Sequence, residues 1–128
     1  MEMKKGLSFH ARLGFALRGL RVAAVHEASF RIQLVAAVVA MLATAWIRPG
    51  WLWAALIAVA VGLVLALELV NTALEHALDG LHPDQASFVA VAKDCAAAAV
   101  LMSSALAVVL FAFMLLDTWP RWVHFSYS

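Results

Sequence analysis

Three stretches of this chain carry no Asp, Glu, Lys or Arg: Ile32–Ile47, Trp51–Leu67 and Cys95–Leu116. They are 16, 17 and 22 residues long, and a helix needs about 20 apolar residues to cross the hydrocarbon of a bilayer. The first two reach that length with one further turn, because flanking polar side chains extend to the headgroups. The runs are continuous rather than alternating, which selects helices over barrel strands. Alanine and leucine, both strong helix formers, dominate them. A water-soluble fold cannot absorb this pattern. Hydrophobic residues make up 66% and charged residues 13% of only 128, against roughly 45–50% and 25% in soluble domains, and small domains bury the smallest share of their surface.

The charges that remain set an orientation. Lys4, Lys5, Arg12, Arg18, Arg21 and Arg31 precede the first span, and only Arg48 lies between the first and second. Under the positive-inside rule the N-terminus and the connection from Asp79 to Asp94 are cytoplasmic, and the C-terminal tail faces out. Trp46, Trp51, Trp53, Trp119 and Trp122 then fall at the outer boundary, as an aromatic belt. Ala43-Thr44-Ala45 has the look of a signal-peptidase site. The long basic region ahead of it and the two spans that follow argue for a retained span. A single cysteine, Cys95, excludes an intrachain disulfide.

Ahead of the spans, Phe9, Leu13, Ala16, Leu17, Leu20 and Ala24 recur at helical spacing, with Arg18 and Arg21 opposite. This predicts an amphipathic helix over 7–25 lying on the membrane surface. Pro49-Gly50 turns the first two spans into a hairpin. Gly80 and His82-Pro83-Asp84 end the second helix, and Asp84 is a candidate cap for a third starting near Gln85. The expectation is a single all-α membrane domain over 1–128, with spans at 30–48, 51–79 and 85–116.

Polar residues inside the second helix are not scattered. Glu68, Asn71, Glu75 and Asp79 are three, four and four residues apart. At about 100° per residue they share roughly 80° of one face. Glu68 borders the hydrocarbon, where an acid is costly and usually functional. Lys93-Asp94 opens the third span on the same side, and Glu27 precedes the first. Carboxylates with an amide suit Mg²⁺ bound jointly with substrate phosphates. A free carboxylate can take a proton from an alcohol, and lysine or arginine can neutralise phosphate. These parts describe phosphoryl transfer to a hydroxyl at a membrane surface. The six glycines form no P-loop and no kinase-type glycine loop. The histidines His10, His26, His76, His82 and His124 lack zinc-site spacing and read as interfacial residues.

Glu68-Leu69-Val70-Asn71-Thr72-Ala73-Leu74-Glu75, then Asp79 and Ala92-Lys93-Asp94, resembles the signature of the prokaryotic diacylglycerol kinase and undecaprenol kinase family. Gly19-Leu20-Arg21 and Glu27-Ala28-Ser29-Phe30-Arg31 resemble that family's N-terminal segment, so the likeness covers roughly residues 8–116. The resemblance implies a homotrimeric helical bundle in the bacterial inner membrane, with active sites shared between chains. It implies Mg²⁺ as cofactor and ATP as co-substrate. Glu68 would be the general base, and Glu27 and Glu75 would hold Mg²⁺ at the ATP phosphates. Lys93 and Asp94, with Asp84, would contact the nucleotide, and Arg31, Gln33 and Asn71 would help to place the lipid.

Three positions depart from the family pattern. Phe15 replaces a tyrosine of many relatives, and Ser8 replaces an arginine found in some, near Arg12 and His10. Gln33 stands where the diacylglycerol enzymes have Glu and several undecaprenol enzymes have His. The leading expectation is a diacylglycerol kinase making phosphatidic acid, with undecaprenol kinase as the alternative. A small proton-coupled transporter is the rival from another class, but it calls for an acid near the bilayer midplane. A catalytically inactive assembly factor is the third reading, and the complete acid cluster argues against it.

Overall fold

A computed structural model describes residues 6–84 and 86–125. Lys4, Lys5 and Gln85 lie outside the described residues, as do the side chains of Trp122 and His124. Four helices follow in order: α1 (Phe9–His26), α2 (Ala28–Ile47), α3 (Trp51–Leu81) and α4 (Ser87–Phe125). The last three are long and apolar enough to cross a membrane.

Local chemistry explains where each helix starts and stops. Ser8 caps α1, its hydroxyl accepting from the Ala11 N–H at 3.3 Å. The expected bounds, 7–25 and 30–48, left residues 26–29 between the surface helix and the first span. Instead Glu27 alone, in an extended conformation, separates α1 from α2. Its N–H closes α1 on the Ala23 carbonyl, and its own carbonyl receives the Arg31 N–H of α2. The carbonyls left over at the end of α1 need donors. Arg31 supplies them, donating to the Val25 carbonyl at 2.8 Å and the Ala24 carbonyl at 3.5 Å.

At the other end of α2, Arg48 takes the left-handed conformation at φ 54, with its N–H on the Thr44 carbonyl. Pro49 and Gly50 follow, and Gly50 sits at φ 109, which a side chain would oppose. The hairpin read from Pro49-Gly50 is therefore a cap plus a glycine. Between α3 and α4 the Asp84 carbonyl, rather than its carboxylate, is engaged, accepting from the Ala86 N–H at 2.9 Å. The Ala86 carbonyl receives the first N–H groups of α4, from Val89 and Ala90.

Charge-free runs report lipid contact, not helix ends, and two helices overrun them. At 1.5 Å per residue the 31-residue α3 is about 46 Å long, against about 30 Å of hydrocarbon. Its surplus is the Glu68–Leu81 end. The span expected to finish at 116 continues as helix to Phe125, through Pro120. Proline lacks an N–H for the preceding turn, yet the segment stays helical, with polar contacts around it. Thr118 donates back to the Met114 carbonyl at 2.8 Å, and Asp117 accepts from the Trp53 indole at 2.8 Å. Arg121 reaches the Pro49 carbonyl at 3.3 Å.

The buried stripe of α3 is Ile57, Ala60, Val64, Glu68 and Asn71, spaced three or four residues apart as one helix face requires. It packs against α4 first and α2 second. Phe30, Ala37 and Thr44 enter from α2, at seven-residue intervals, and Val100, Ser103 and Met114 from α4. Small alanines allow the helices to approach closely. The outer faces stay apolar and open, as Leu42, Val59, Leu101 and Leu116 illustrate. A soluble protein of 13.8 kDa exposes about 6,600 Å², whereas this chain exposes 9845 Å². That surplus of apolar surface belongs in lipid or against other copies.

Candidate active site

The site is built on the C-terminal end of α3, where the buried stripe changes from apolar to polar without leaving its face. Val64 is followed one turn later by Glu68 and then by Asn71 and Thr72, all buried. Glu68 is 3% exposed, and no hydrogen bond or ion pair from a described residue reaches its carboxylate. Asn71 Oδ1 is buried and has no hydrogen-bond partner. A fully buried acceptor such as Asn71 Oδ1 costs stability unless a donor arrives. A hydroxyl is a donor that would satisfy it or the Glu68 carboxylate.

One to three turns further out, the polar side chains are half-buried or exposed. The single-residue break puts Glu27 against α3, where its Oε1 lies 3.0 Å from His76 Nε2. That contact brings Glu27 to the turn that carries Glu75, itself half-buried. Lys93 of α4 is paired with Asp79 of α3, closing the two helices over the same end. Both partners are substantially exposed, so the pair is worth roughly 0–1 kcal/mol and is readily exchanged for another anion. Asp84 and Asp94 are exposed, and their carboxylates have no partner among the described residues.

Some residues expected at the site have other engagements. The Arg31 guanidinium is bound to the carbonyls of α1, though its five N–H groups leave donors over. Gln33 turns inward between helices, donating to Ser104 Oγ at 3.3 Å. Two residues in these contacts were not singled out from the sequence. His76, read as an ordinary interfacial histidine, partners Glu27. Ser104 partners Gln33, and its signal was its register, eleven residues after Lys93 and so on the same face of α4.

Among the described residues no three or more His, Cys, Asp or Glu side chains gather into a metal site. A closed protein cage is therefore not what the donors build. Glu27 reaches His76, the residue after Glu75, and carboxylates such as Glu27 and Glu75 would suit a cation that takes most of its ligands from phosphates and water, which is the habit of Mg²⁺.

The chain also resembles known proteins along most of its length. Residues 14–115 match the family described as prokaryotic diacylglycerol kinase. The chain is 31% identical over 113 residues to the diacylglycerol kinase of Escherichia coli K12, covering 88% of each protein. It shows the same identity and coverage with that of Shigella flexneri. With the diacylglycerol kinase of Synechocystis it is 33% identical over 103 residues, 80% of this chain and 59% of the relative. The three apolar helices, the polar end of α3 and these matches together place the chain in the prokaryotic diacylglycerol kinase family, as a multi-pass membrane lipid kinase that transfers phosphate to an alcohol.

Proposed function

We propose that this lipid kinase phosphorylates the free hydroxyl of diacylglycerol from ATP, giving phosphatidic acid at the cytoplasmic face of a bacterial inner membrane. The observation that carries the reading is the isolated Glu68 carboxylate, buried at the edge of the hydrocarbon with no partner among the described residues. A general base must be free to receive a proton and must sit where the acceptor hydroxyl can reach it. Diacylglycerol holds its hydroxyl at that depth.

In this mechanism Glu68 takes the hydroxyl proton as the lipid oxygen bonds to the γ-phosphorus. The bond from that phosphorus to the bridging oxygen breaks, and ADP leaves. Asn71, on the same face, orients the hydroxyl oxygen through its amide N–H₂, leaving the single hydroxyl proton for Glu68. Glu27 and Glu75 would hold Mg²⁺, which when bound neutralises charge on the phosphates. Lys93 exchanges Asp79 for phosphate oxygens, and Asp94 and Asp84 flank the nucleotide. Arg31 and Gln33 hold the lipid from the α2 side. The open apolar faces of the spans, only 11–22% buried within one chain, supply surfaces for a homotrimer. The basic N-terminal segment supports a cytoplasmic N-terminus. A transporter reading is disfavoured because the acids gather at one end of α3 and not at its middle.

The test is transfer of labelled γ-phosphate in mixed micelles to diacylglycerol and, separately, to undecaprenol. Transfer to diacylglycerol is expected, and Glu68→Gln is expected to lower it by about 10²–10⁴-fold. No transfer to either lipid would sink the kinase reading, and preference for undecaprenol would sink the substrate. A fully active Glu68→Gln enzyme would remove the base assignment.

A further inference from the structure

Beside the site, α2, α3 and α4 line a partly open groove of ≈ 370 Å³. Its walls are small and apolar, with Ala37, Ala40, Ala60, Val64 and Ala107 among them. Two lining residues are polar, Gln33 and Ser104. They are hydrogen-bonded to each other at 3.3 Å and stand at the end of the groove nearer Glu68. On α2 the lining runs from Gln33 to Ala43, about 15 Å along the axis. That is about half of a 30 Å hydrocarbon core, the depth of one leaflet.

The groove leads directly into the site. Val64 lines it, and Glu68 follows one turn later on the same face of α3, about 6 Å nearer the cytoplasm. In an acylglycerol the free hydroxyl and the nearest ester carbonyl are separated by a comparable distance, a handful of covalent bonds. Ser104 stands eleven residues from Lys93, and Glu68 eleven from Asp79, the partner of Lys93. The Gln33–Ser104 pair therefore lies near the level of Glu68. An ester a few bonds from a hydroxyl held there can reach the pair, and its chain runs on down the groove.

The two polar residues are free to read that ester. Ser103 donates to the Val100 carbonyl at 2.9 Å, as a serine in a buried helix commonly does. Ser104 instead accepts from Gln33 and keeps its own proton available. Gln33 Nε2 uses one hydrogen on Ser104 and keeps a second. Both spare donors sit among apolar walls, where a donor without an acceptor is costly. An ester carbonyl is such an acceptor. A polyprenol offers none at that position.

We propose that this groove seats an acyl chain of the lipid substrate, and that Ser104 is a positioning residue. It holds the Gln33 amide so that the pair binds an ester carbonyl and separates acylglycerols from polyprenols. The inference rests on the lipid-kinase reading above and deepens it.

The test uses the full-length protein in mixed micelles with a diacylglycerol that carries a diazirine in one acyl chain. Photolabel is expected within residues 33–43, 57–64 and 104–111. Unlabelled diester lipid is expected to compete about tenfold better than its diether analogue, the worth of one buried hydrogen bond. Ser104→Ala should bring that ratio close to one, and Ser104→Thr, which keeps the hydroxyl, should restore most of it. In the transfer assay Ser104→Ala should raise KM for the diester several times more than it lowers kcat. Label outside the groove, as when a second copy's helix fills it, would overturn the inference. So would an ester-to-ether ratio that Ser104→Ala leaves intact. Labelling depends on binding alone, so the two readings fail separately. A preserved ratio without phosphate transfer sinks only the kinase reading, and transfer with a ratio of one sinks only this inference.

Discussion

Glu27 Oε1 lies 3.0 Å from His76 Nε2, and this contact joins the break between α1 and α2 to the outer turns of α3. Glu27 is the one residue between those helices, so its carboxylate is placed by both. The imidazole and the proposed Mg²⁺ site compete for the same oxygen.

Removing the competitor should therefore strengthen the metal dependence. His76→Ala is expected to lower the Mg²⁺ concentration for half-maximal transfer by about two- to threefold, since an exposed pair is worth a fraction of a kcal/mol. Glu27→Gln, which removes a charged ligand, is expected to raise it by about tenfold or more. A Mg²⁺ titration of phosphate transfer checks both. Identical curves for Glu27→Gln and the parent would remove Glu27 from the metal site.

Arg31 has a structural duty that precedes any duty to substrate, because its guanidinium ends α1 on the Val25 and Ala24 carbonyls. Arg31→Ala should fray the last turn of α1 at a cost of about 1 kcal/mol. Amide hydrogen exchange is the measurement, with faster exchange expected from Val22 to Glu27 and little change in α4. Uniform exchange across α1 in both proteins would contradict this.

At the opposite end of the bundle, Trp53, Asp117 and Arg121 tie the start of α3 to the end of α4. Asp117→Leu loses the indole bond, and an unfolding titration in mixed micelles should record a loss of about 1 kcal/mol. Phosphate transfer per folded molecule should stay close to that of the parent, because the site lies at the far end of α3. A large drop in transfer without a drop in stability would show that this end reaches the chemistry.

Three spans put the two ends of the bundle on opposite sides of the membrane. In a Cys95→Ser background, single cysteines at Asp84 and at Gly50 should differ in labelling by an impermeant maleimide on intact cells. Gly50→Cys is expected to label from outside, and Asp84→Cys only after the membrane is broken. Position 50 is strained for any side chain, so Trp51→Cys serves as a second outer probe. The reverse pattern would invert the orientation drawn from the basic N-terminus.

Much of this fold was legible because lipid writes plainly in sequence. The charge-free runs located three spans, and the period of Glu68, Asn71, Glu75 and Asp79 put them on one side of one helix. Burial then divides the four: Glu68 and Asn71 are inside, and Asp79 is in water with Lys93. Helix ends were less legible. Around Pro120 the helix is tied to distant residues, Asp117 to Trp53 and Arg121 to Pro49, and no local window contains those partners. The gap of 26–29 between the expected helices shrinks to Glu27 alone, where the Arg31 side chain folds back on the end of α1. Gln33 and Ser104 are separated by 71 positions, so only the packing of α2 against α4 makes them neighbours.

The continuity of α3 has a consequence for how two reactants that share no solvent can react. From Glu68 to Asp79 is eleven residues of unbroken helix, about 16 Å, and the surroundings along it change from oil to water. Such a rod acts as a ruler laid across two phases. The greasy reactant need rise no higher than its own headgroup, and the soluble one need descend no deeper than the first buried turn. Distance along a single rigid helix then does what other transferases accomplish by closing one lobe upon another.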